Sequence, residues 1–179
     1  MQSRKILGID PGFGIMGWGV IQQTGREVSL IDYGAIETSP AEEVGQRLCK
    51  INDELKKVFD YYKPDDIAIE ELFFANNVTT AMKVAGARGI ALMRATYYNG
   101  KVYNYKPNHI KIAIAGGCKD VKKKEIQTCV GKILNREEKI KPDDAADALA
   151  IALTHAFWLN DHDIIKPKPK EKKATKKGG

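Results

Sequence analysis

Three short, mainly apolar runs open the chain, and each has the composition of a β-strand. They are rich in isoleucine, valine, leucine and tryptophan, and turn signals such as Thr24-Gly25 separate them. Because the separating turns are too short to hold a crossover helix, each strand must fold back on the one before it. The pattern therefore predicts an antiparallel meander of three strands at residues 5–10, 17–23 and 27–37.

The hydrophobic period changes from two to about 3.6 after this meander. Apolar residues recur at steps of three and four over residues 41–61, which predicts an amphipathic helix that ends at Pro64. We assign its apolar stripe to the core, and the stripe consists of Val44, Leu48, Ile51, Leu55, Val58 and Tyr62.

The rest of the chain alternates between short strands and helices. Strand patterns occupy residues 66–70 and 102–105, and helical patterns occupy residues 77–97, 108–115, 122–134 and 142–159, the last with Pro142 in its first turn. This order predicts an α/β fold with a five-stranded mixed sheet, whose first three strands are the antiparallel meander, and with helices on both faces.

The helix predicted at residues 77–97 is rich in small residues, with alanine or glycine at positions 81, 85, 86, 87, 89 and 91. Small side chains allow another helix to approach closely. Two interpretations remain open at this point, namely packing within the core of one chain and contact between two copies in a homodimer.

The formal net charge of +6 is unevenly distributed along the chain. Residues 166–179 contain seven lysines, one glutamate and almost nothing apolar, so we expect residues 161–179 to be a disordered, lysine-rich tail after a single domain at residues 1–160. Residues 101–141 contain eleven basic and four acidic residues, and residues 142–165 contain five aspartates without lysine or arginine. This juxtaposition suits a polyanion held against carboxylates by cations, and a solvated, salt-bridged surface is the alternative.

The composition also argues against a membrane or secreted protein. No run approaches the roughly 20 apolar residues that a membrane span needs, and the N-terminus has no apolar signal-peptide region. Three scattered cysteines suit reduced thiols better than a disulfide framework. These features predict a cytoplasmic protein without a membrane partner.

The first strand ends at Asp10 in a glycine-rich stretch that allows two interpretations. Gly12, Gly14 and Gly17 have the G-x-G-x-x-G spacing of a dinucleotide-binding loop, but such a loop must open a helix. Here the sequence continues as GWGVIQQ, which favours a strand, and the glycines are better explained by a tight turn between two strands. Asp10 is then a carboxylate at a strand tip, placed to carry a metal. Actin-like ATPases also begin in this way, although they bind the nucleotide between two such domains.

Further carboxylates lie at positions where a negative charge is costly. Glu70 ends the apolar strand DIAIE, and Asp147 lies among alanines on the same face of the last helix as Asp144. Together with Asp10 they carry four negative charges, which two Mg²⁺ ions would balance, with Mn²⁺ as a substitute that prefers the same oxygen ligands. Two such ions about 4 Å apart can hold a phosphodiester, activate water and stabilise the leaving oxygen.

The motifs GIDPG, AIEELF and DDAADALAIALTH, in this order on the predicted elements, resemble the RuvC family of Holliday junction resolvases. The resemblance covers residues 5–158 and implies an RNase H-like fold. It implies a homodimer that binds four-way junction DNA and nicks two opposing strands symmetrically in recombination and repair, leaving 5′-phosphate and 3′-hydroxyl ends. It also implies the RuvA and RuvB branch-migration complex as a partner.

The resemblance assigns the catalytic and metal-binding roles to the acids of these motifs. They are Asp10, Glu70, Asp144 and Asp147. Two departures from the family pattern are the extra acid at Asp143, which could compete for metal, and the lysine-rich tail, which would add salt-sensitive DNA affinity.

DNA-contacting residues are also carried over by motif. The family's junction-contacting aromatic residue lies at Phe73, where the alternative is a core phenylalanine, and its lysines near the scissile phosphate lie at Lys111 and Lys123. The second lysine is ambiguous by one position because Lys122 and Lys124 flank it.

Three alternatives to a junction resolvase remain open from the residues alone. One is an RNase H-like nuclease of another substrate class, such as an RNA–DNA hybrid or a transposon end. Another is a catalytically inactive junction-binding protein, against which four intact acids argue, and the third is an ATPase fragment, which would bind ATP with Mg²⁺. Phe73, the basic segment and the small-residue helix together favour the branched DNA.

Overall fold

The computed structural model of the chain describes residues 3–72, 78–98, 100–117 and 121–160. The strands are β1 (Ser3–Asp10), β2 (Ile15–Thr24), β3 (Glu27–Glu37), β4 (Asp66–Glu70) and β5 (Lys101–Tyr105). The helices are α1 (Val44–Tyr62), α2 (Val78–Tyr97), α3 (Pro107–Ile114), α4 (Lys123–Ile133) and α5 (Asp143–Asn160). All predicted elements are therefore present, with ends that differ from the predicted ones by at most a few residues.

The five strands form one mixed sheet in the order β3-β2-β1-β4-β5. β2 pairs antiparallel with both β1 and β3, whereas β4 pairs parallel with β1 and β5. Gly25 closes the β2–β3 hairpin with a φ of 61°, in the left-handed region that glycine enters without steric cost. The predicted five-stranded sheet with its antiparallel meander is confirmed.

Helices cover both faces of the sheet because its central strands bury both of their faces. Ile6 and Ala68 lie in a core with residues of α3, α4 and α5. Leu7, Ile9 and Ile67 lie in a second core with residues of α1 and α2. The predicted helices on both faces are confirmed, and α5 is the most deeply buried of the five, with all but one of residues 145–156 buried.

The predicted apolar stripe of α1 is wrong at its first position. Val44, the first residue of the helix, is 43% exposed, and Arg47 is buried one turn later. The guanidinium of Arg47 lies 4.0 Å from the centre of the Phe13 ring, and its Nε donates a 2.8 Å hydrogen bond to Thr38 Oγ1. Because these partners satisfy the charge, an arginine occupies a core position that a hydrophobic pattern cannot anticipate.

The beginning of α5 also differs slightly from the prediction. Pro142 precedes the helix, and its carbonyl accepts hydrogen bonds from the backbone N–H groups of Ala145 and Ala146.

Among the described residues, no helix is both long enough and apolar enough to cross a membrane. The predicted lysine-rich tail at residues 161–179 lies outside the described residues.

Candidate active site

Two of the predicted acids stand at the carboxyl ends of adjacent parallel strands. Ile9 of β1 pairs with Ile69 of β4, so the residues that follow them, Asp10 and Glu70, lie side by side. The carboxyl ends of parallel strands in an α/β sheet are the usual location of a functional site.

Helix α5 reaches this edge because glycines let its backbone rest directly on the sheet. A β-carbon on Gly17 would lie 2.0 Å from the carbonyl oxygen of Asp144, and one on Gly8 would lie 2.0 Å from that of Ala148. Gly17 is the register partner of Asp10, so the contact brings the first turn of α5 to that acid. The predicted turn role of Gly17 is therefore wrong, and the turn itself contains Gly12 and Gly14.

Three acids and two lysines line one cavity of about 380 Å³ at this edge; they are Asp10, Glu70, Asp147, Lys111 and Lys123. Asp144 does not line the cavity, although its charge is close enough to perturb Asp10. A larger groove of about 750 Å³ lies between α1 and β3 and contains none of these acids.

The acids of the cavity are too crowded and too buried to ionise normally. Burial, followed by the charges of Glu70, Asp147 and Asp144, raises the pKa of Asp10 from 3.8 to about 8. Burial and the charge of Asp147 also raise the pKa of Glu70, although a hydrogen bond with Asp10 opposes the shift. Burial likewise raises the pKa of Asp147. Full ionisation of these acids is therefore costly even beside Lys111 and Lys123, and a further cation would lower that cost.

The structure distinguishes the three consecutive lysines at the start of α4. Lys123 Nζ lies 2.5 Å from Asp147 Oδ2, and this hydrogen bond raises the pKa of Lys123. Lys122 precedes the helix, and Lys124 lines a different cavity of about 510 Å³. Of the three, Lys123 is the one that faces the acids.

The donor set of the cavity fits a hard divalent cation. Its ligands are carboxylate oxygens, which suit Mg²⁺ and Mn²⁺ and do not suit a structural zinc site. In the part of the chain that the structure describes, no group of three or more His, Cys, Asp or Glu residues is arranged to enclose an ion. That arrangement is compatible with Mg²⁺, which commonly takes one or two carboxylates and completes its shell with water and substrate phosphates.

Other predicted residues lie apart from this cluster or outside the described residues. Asp143 is exposed, and its Oδ1 lies 2.9 Å from Lys139 Nζ, a hydrogen bond that lowers the pKa of Asp143. Asp143 does not line the cavity of the acids. Phe73 lies outside the described residues.

Sequence reasoning missed one residue that supports the site. Arg88 Nε donates a 3.1 Å hydrogen bond to the backbone carbonyl of Glu70, and its guanidinium also bonds to Asn104 Oδ1 at 2.5 Å. These bonds attach the end of β4 to both α2 and β5. The sequence signal that could have identified Arg88 is its position among the small residues of α2.

The five-stranded mixed sheet, with carboxylates at its parallel strand ends and α5 across them, is an RNase H-like fold. The family model for crossover junction endodeoxyribonuclease RuvC matches residues 6–155. The chain belongs to the RuvC family.

Individual relatives cover almost the whole chain. It is 46% identical to the RuvC of Alkaliphilus metalliredigens over 91% of this chain and 99% of that protein, and 45% identical to the RuvC of Pseudothermotoga lettingae over 87% and 95%. Among solved structures, it is similar to Thermus thermophilus RuvC in complex with a Holliday junction substrate. That similarity has a TM-score of 0.82 and 36% identity, and it covers 88% of this chain and 95% of that one. The predicted family and fold class are confirmed.

Proposed function

We propose that the protein is a structure-selective DNA endonuclease that resolves Holliday junctions by metal-dependent hydrolysis of two opposing strands. The observation that carries this proposal is the convergence of Asp10, Glu70 and Asp147 in one cavity beside Lys111 and Lys123. The Thermus thermophilus relative with a junction substrate supports the choice of DNA class.

Each part of the site has a distinct task in this proposal. Asp10 and Glu70 from the strand ends, with Asp144 and Asp147 from α5, would hold two Mg²⁺ ions. When bound, these ions supply activation of the attacking water and stabilisation of the leaving 3′-oxygen, so that the products carry 5′-phosphate and 3′-hydroxyl ends.

The lysines and the crowded acids act together on the DNA backbone. Lys111 and Lys123 line the same cavity as the acids, where their charges attract the scissile phosphate that the carboxylates alone would repel. Lys123 also forms an ion pair with Asp147. The site thus favours a phosphodiester that arrives together with divalent cations.

Symmetric cleavage requires two sites, and α2 offers a surface for a homodimer. Its large exposed apolar residues are Val78 at 76%, Met82 at 71%, Met93 at 38% and Tyr97 at 78% exposure. Between them along the helix lie Ala85 and Gly89, which are also exposed, whereas Ala87 and Ala91 are buried in the core. The small residues therefore divide between core packing and an unpaired face that would let a second α2 approach closely.

A substitution at Gly89 tests this dimer. A β-carbon at Gly89 meets nothing within 4 Å in the single chain, and glutamate favours a helix over glycine, so Gly89→Glu leaves the monomer folded. We expect it to convert a dimer to a monomer in light scattering coupled to size exclusion. Gly45→Glu in α1, where a β-carbon also meets nothing within 4 Å, is the matched control that stays dimeric.

Three further assignments complete the proposal. Phe73 stacks at the crossover, and the lysine-rich residues 161–179 add sequence-independent affinity for DNA. Removal of residues 166–179 should flatten the dependence of junction affinity on salt, by about 0.9 in logarithmic slope for each DNA phosphate that the tail neutralises.

The family also implies RuvA and RuvB as partners, which co-purification with a junction would test.

The test of the function compares a synthetic four-way junction with a linear duplex and an RNA–DNA hybrid, each with and without Mg²⁺. We expect paired nicks at symmetric positions on two opposing strands of the junction, in the presence of Mg²⁺ only. Preferred cutting of the hybrid or of the linear duplex would instead support an RNase H-like nuclease of another class. Tight junction binding without any cleavage would support the inactive junction-binding protein.

A further inference from the structure

A second group of polar side chains lies inside the protein, away from the acidic cavity. Asp66 at the start of β4 and His155 on α5 are fully buried, and Tyr105 at the end of β5 is 4% exposed. Tyr105 Oη lies 2.7 Å from His155 Nδ1, and His155 Nε2 lies 3.4 Å from Asp66 Oδ2. We call these three residues the polar clamp. They connect the parallel strands β4 and β5 to the helix that carries Asp144 and Asp147.

The contacts of the polar clamp define its protonation. Burial raises the pKa of Tyr105, so its hydroxyl keeps its proton and can donate to His155 Nδ1. The His155 tautomer that satisfies both neighbours then carries its proton on Nε2, which faces Asp66. Burial alone would raise the pKa of Asp66, but contacts with His155 and Arg4 outweigh it and lower that pKa. Asp66 therefore stays ionised beside Arg4.

The contacts of α5 with β1 and β2 are centred on glycines of those strands. Backbone and alanine atoms of the helix rest on Gly8 and Gly17, and the Leu149 side chain rests on Gly19. These contacts place the helix on β1 and β2, whereas His155 connects it to β4 and β5 through Asp66 and Tyr105. A hydrogen bond is directional, so the bond between Tyr105 and His155 defines the axial position of α5 relative to β5.

The polar clamp also joins the two halves of the acidic site. Tyr105 pairs with Glu70 in the β4–β5 register, and its carbonyl accepts a 2.8 Å hydrogen bond from the Glu71 N–H. On the helix, His155 follows Asp144 by eleven residues, about three turns, and so lies on the same face. A shift of α5 relative to Tyr105 therefore moves Asp144 and Asp147 relative to Glu70.

We propose that Asp66, His155 and Tyr105 are positioning residues that fix α5 along the sheet and thereby set the spacing between the α5 carboxylates and those of Asp10 and Glu70. The inference rests on the proposed role of those acids in holding divalent cations. Its consequence is a defined metal affinity, because carboxylates that are displaced from one another hold the same ions less tightly.

Tyr105→Phe tests the inference with a change of one oxygen atom. We expect about a tenfold weaker affinity for Mn²⁺, measured at equilibrium by calorimetry and by the electron paramagnetic resonance signal of the free ion. The Mg²⁺ concentration for half-maximal nicking should rise by a similar factor, with a smaller change in the rate at saturating Mg²⁺. A role in stability alone would lower the melting temperature and leave both metal titrations unchanged, which would overturn the proposal.

The matched control is Tyr103→Phe, because Tyr103 contacts His155 through its ring, with centroids 4.1 Å apart. This variant should bind Mn²⁺ like the wild type. A second variant, His155→Leu, fills the same space without polar contacts and should reproduce the weakened Mn²⁺ affinity. Because one interaction is removed in each case, the double variant Tyr105→Phe/His155→Leu should be no weaker than His155→Leu alone, and additive losses would contradict a shared clamp.

The outcomes separate this inference from the proposed function. If the wild type binds Mn²⁺ but does not cut four-way junctions, the proposed function fails while the comparison of Mn²⁺ affinities still supports the polar clamp. If the wild type cuts junctions and both variants bind Mn²⁺ like the wild type, the polar clamp is wrong and the proposed function stands. A wild type that binds no Mn²⁺ overturns both.

Discussion

The strand β4 begins and ends with a carboxylate, and the two have opposite electrostatic environments. Asp66 is fully buried, with Arg4 at 2.7 Å and His155 at 3.4 Å from its Oδ2, and these contacts lower its pKa against the effect of burial. Glu70 is only partly buried, yet burial and the charge of Asp147 raise its pKa. Four residues apart, one acid forms an ion pair with Arg4, whereas the other lies among acids whose effect on its pKa exceeds that of the nearby Lys111 and Lys123.

This difference distinguishes a structural carboxylate from a functional one more reliably than burial does. A buried charge that the protein itself neutralises contributes to the native fold, whereas one left beside like charges costs stability. Such a cost is consistent with a site that is completed by a ligand, and the ligands proposed for it are divalent cations and a DNA phosphate. The comparison can be tested from both ends of β4.

The largest effect is expected at the functional end. Glu70→Gln should lower Mg²⁺-dependent nicking of a junction by roughly 10²- to 10³-fold while junction binding persists, because it removes the charge that is proposed to hold the cation. The measurement is single-turnover cleavage together with a gel-shift titration. Glu71→Gln is the neighbouring control and should stay within a few-fold of the wild type. Equal rates for Glu70→Gln and the wild type would refute the functional role of Glu70.

The structural end should respond in stability. Asp66→Asn leaves Arg4 without its ion pair and removes the carboxylate that faces His155, and should reduce the free energy of unfolding by about 3 kcal/mol. Urea denaturation measures this decrease. Asp65→Asn is the control, since Asp65 is exposed and its side chain accepts a hydrogen bond from the Lys5 N–H at 2.8 Å. If both variants unfold at the same urea concentration, Asp66 is not a structural anchor.

A smaller effect of opposite sign is expected at Asp10 in protein without divalent cations. Because its folded pKa lies near 8 and its ordinary value is 3.8, the folded chain retains a proton that the unfolded chain releases. This group therefore costs more stability as the pH rises from about 4 to about 8. At about 1.4 kcal/mol per pKa unit the full shift is an upper bound of about 6 kcal/mol, and Asp10→Asn also disturbs the hydrogen bond with Glu70. The net stabilisation at pH 8 should therefore be roughly 2 kcal/mol.

Thermal melts from pH 5 to pH 8 in the presence of a chelator measure the effect of Asp10→Asn. The control is Asp143→Asn, because Asp143 is exposed and paired with Lys139. A variant at Asp10 that is less stable than the wild type at pH 8 would show that the acids are not in mutual repulsion.

The smallest effect is expected for Lys123, the lysine that pairs with Asp147 in the cavity of the acids. Lys123→Ala removes the ammonium that lies against Asp147, and should slow nicking about tenfold because the scissile phosphate is then held less tightly. Lys124→Ala, which alters a side chain at a different cavity, should change the rate less than twofold. Initial rates at a fixed Mg²⁺ concentration distinguish the two, and equal decreases would mean that the basic segment acts only by its net charge.

Much of the fold was predictable because its signals are local. The alternation of side chains along a strand and the 3.6-residue period of a helix depend on neighbouring positions, so all predicted elements occur in the structure. Departures arose where a partner is distant in sequence. Arg47 replaces Val44 in the core because Phe13 and Thr38 receive its guanidinium, and neither is visible in the periodicity of α1.

By itself, the sequence determined the order of the elements, the family and the acids that end β1 and β4 and begin α5. Only the tertiary structure decided that the first turn of α5 rests on Gly17. It also decided that Lys123, of three consecutive lysines, faces Asp147. The position of His155 between Asp66 and Tyr105 is likewise visible only in the fold. The physical reason is that these contacts depend on how far α5 lies along the sheet. That distance is set jointly by residues from β1, β2, β4 and β5, and it has no counterpart in any short stretch of the chain.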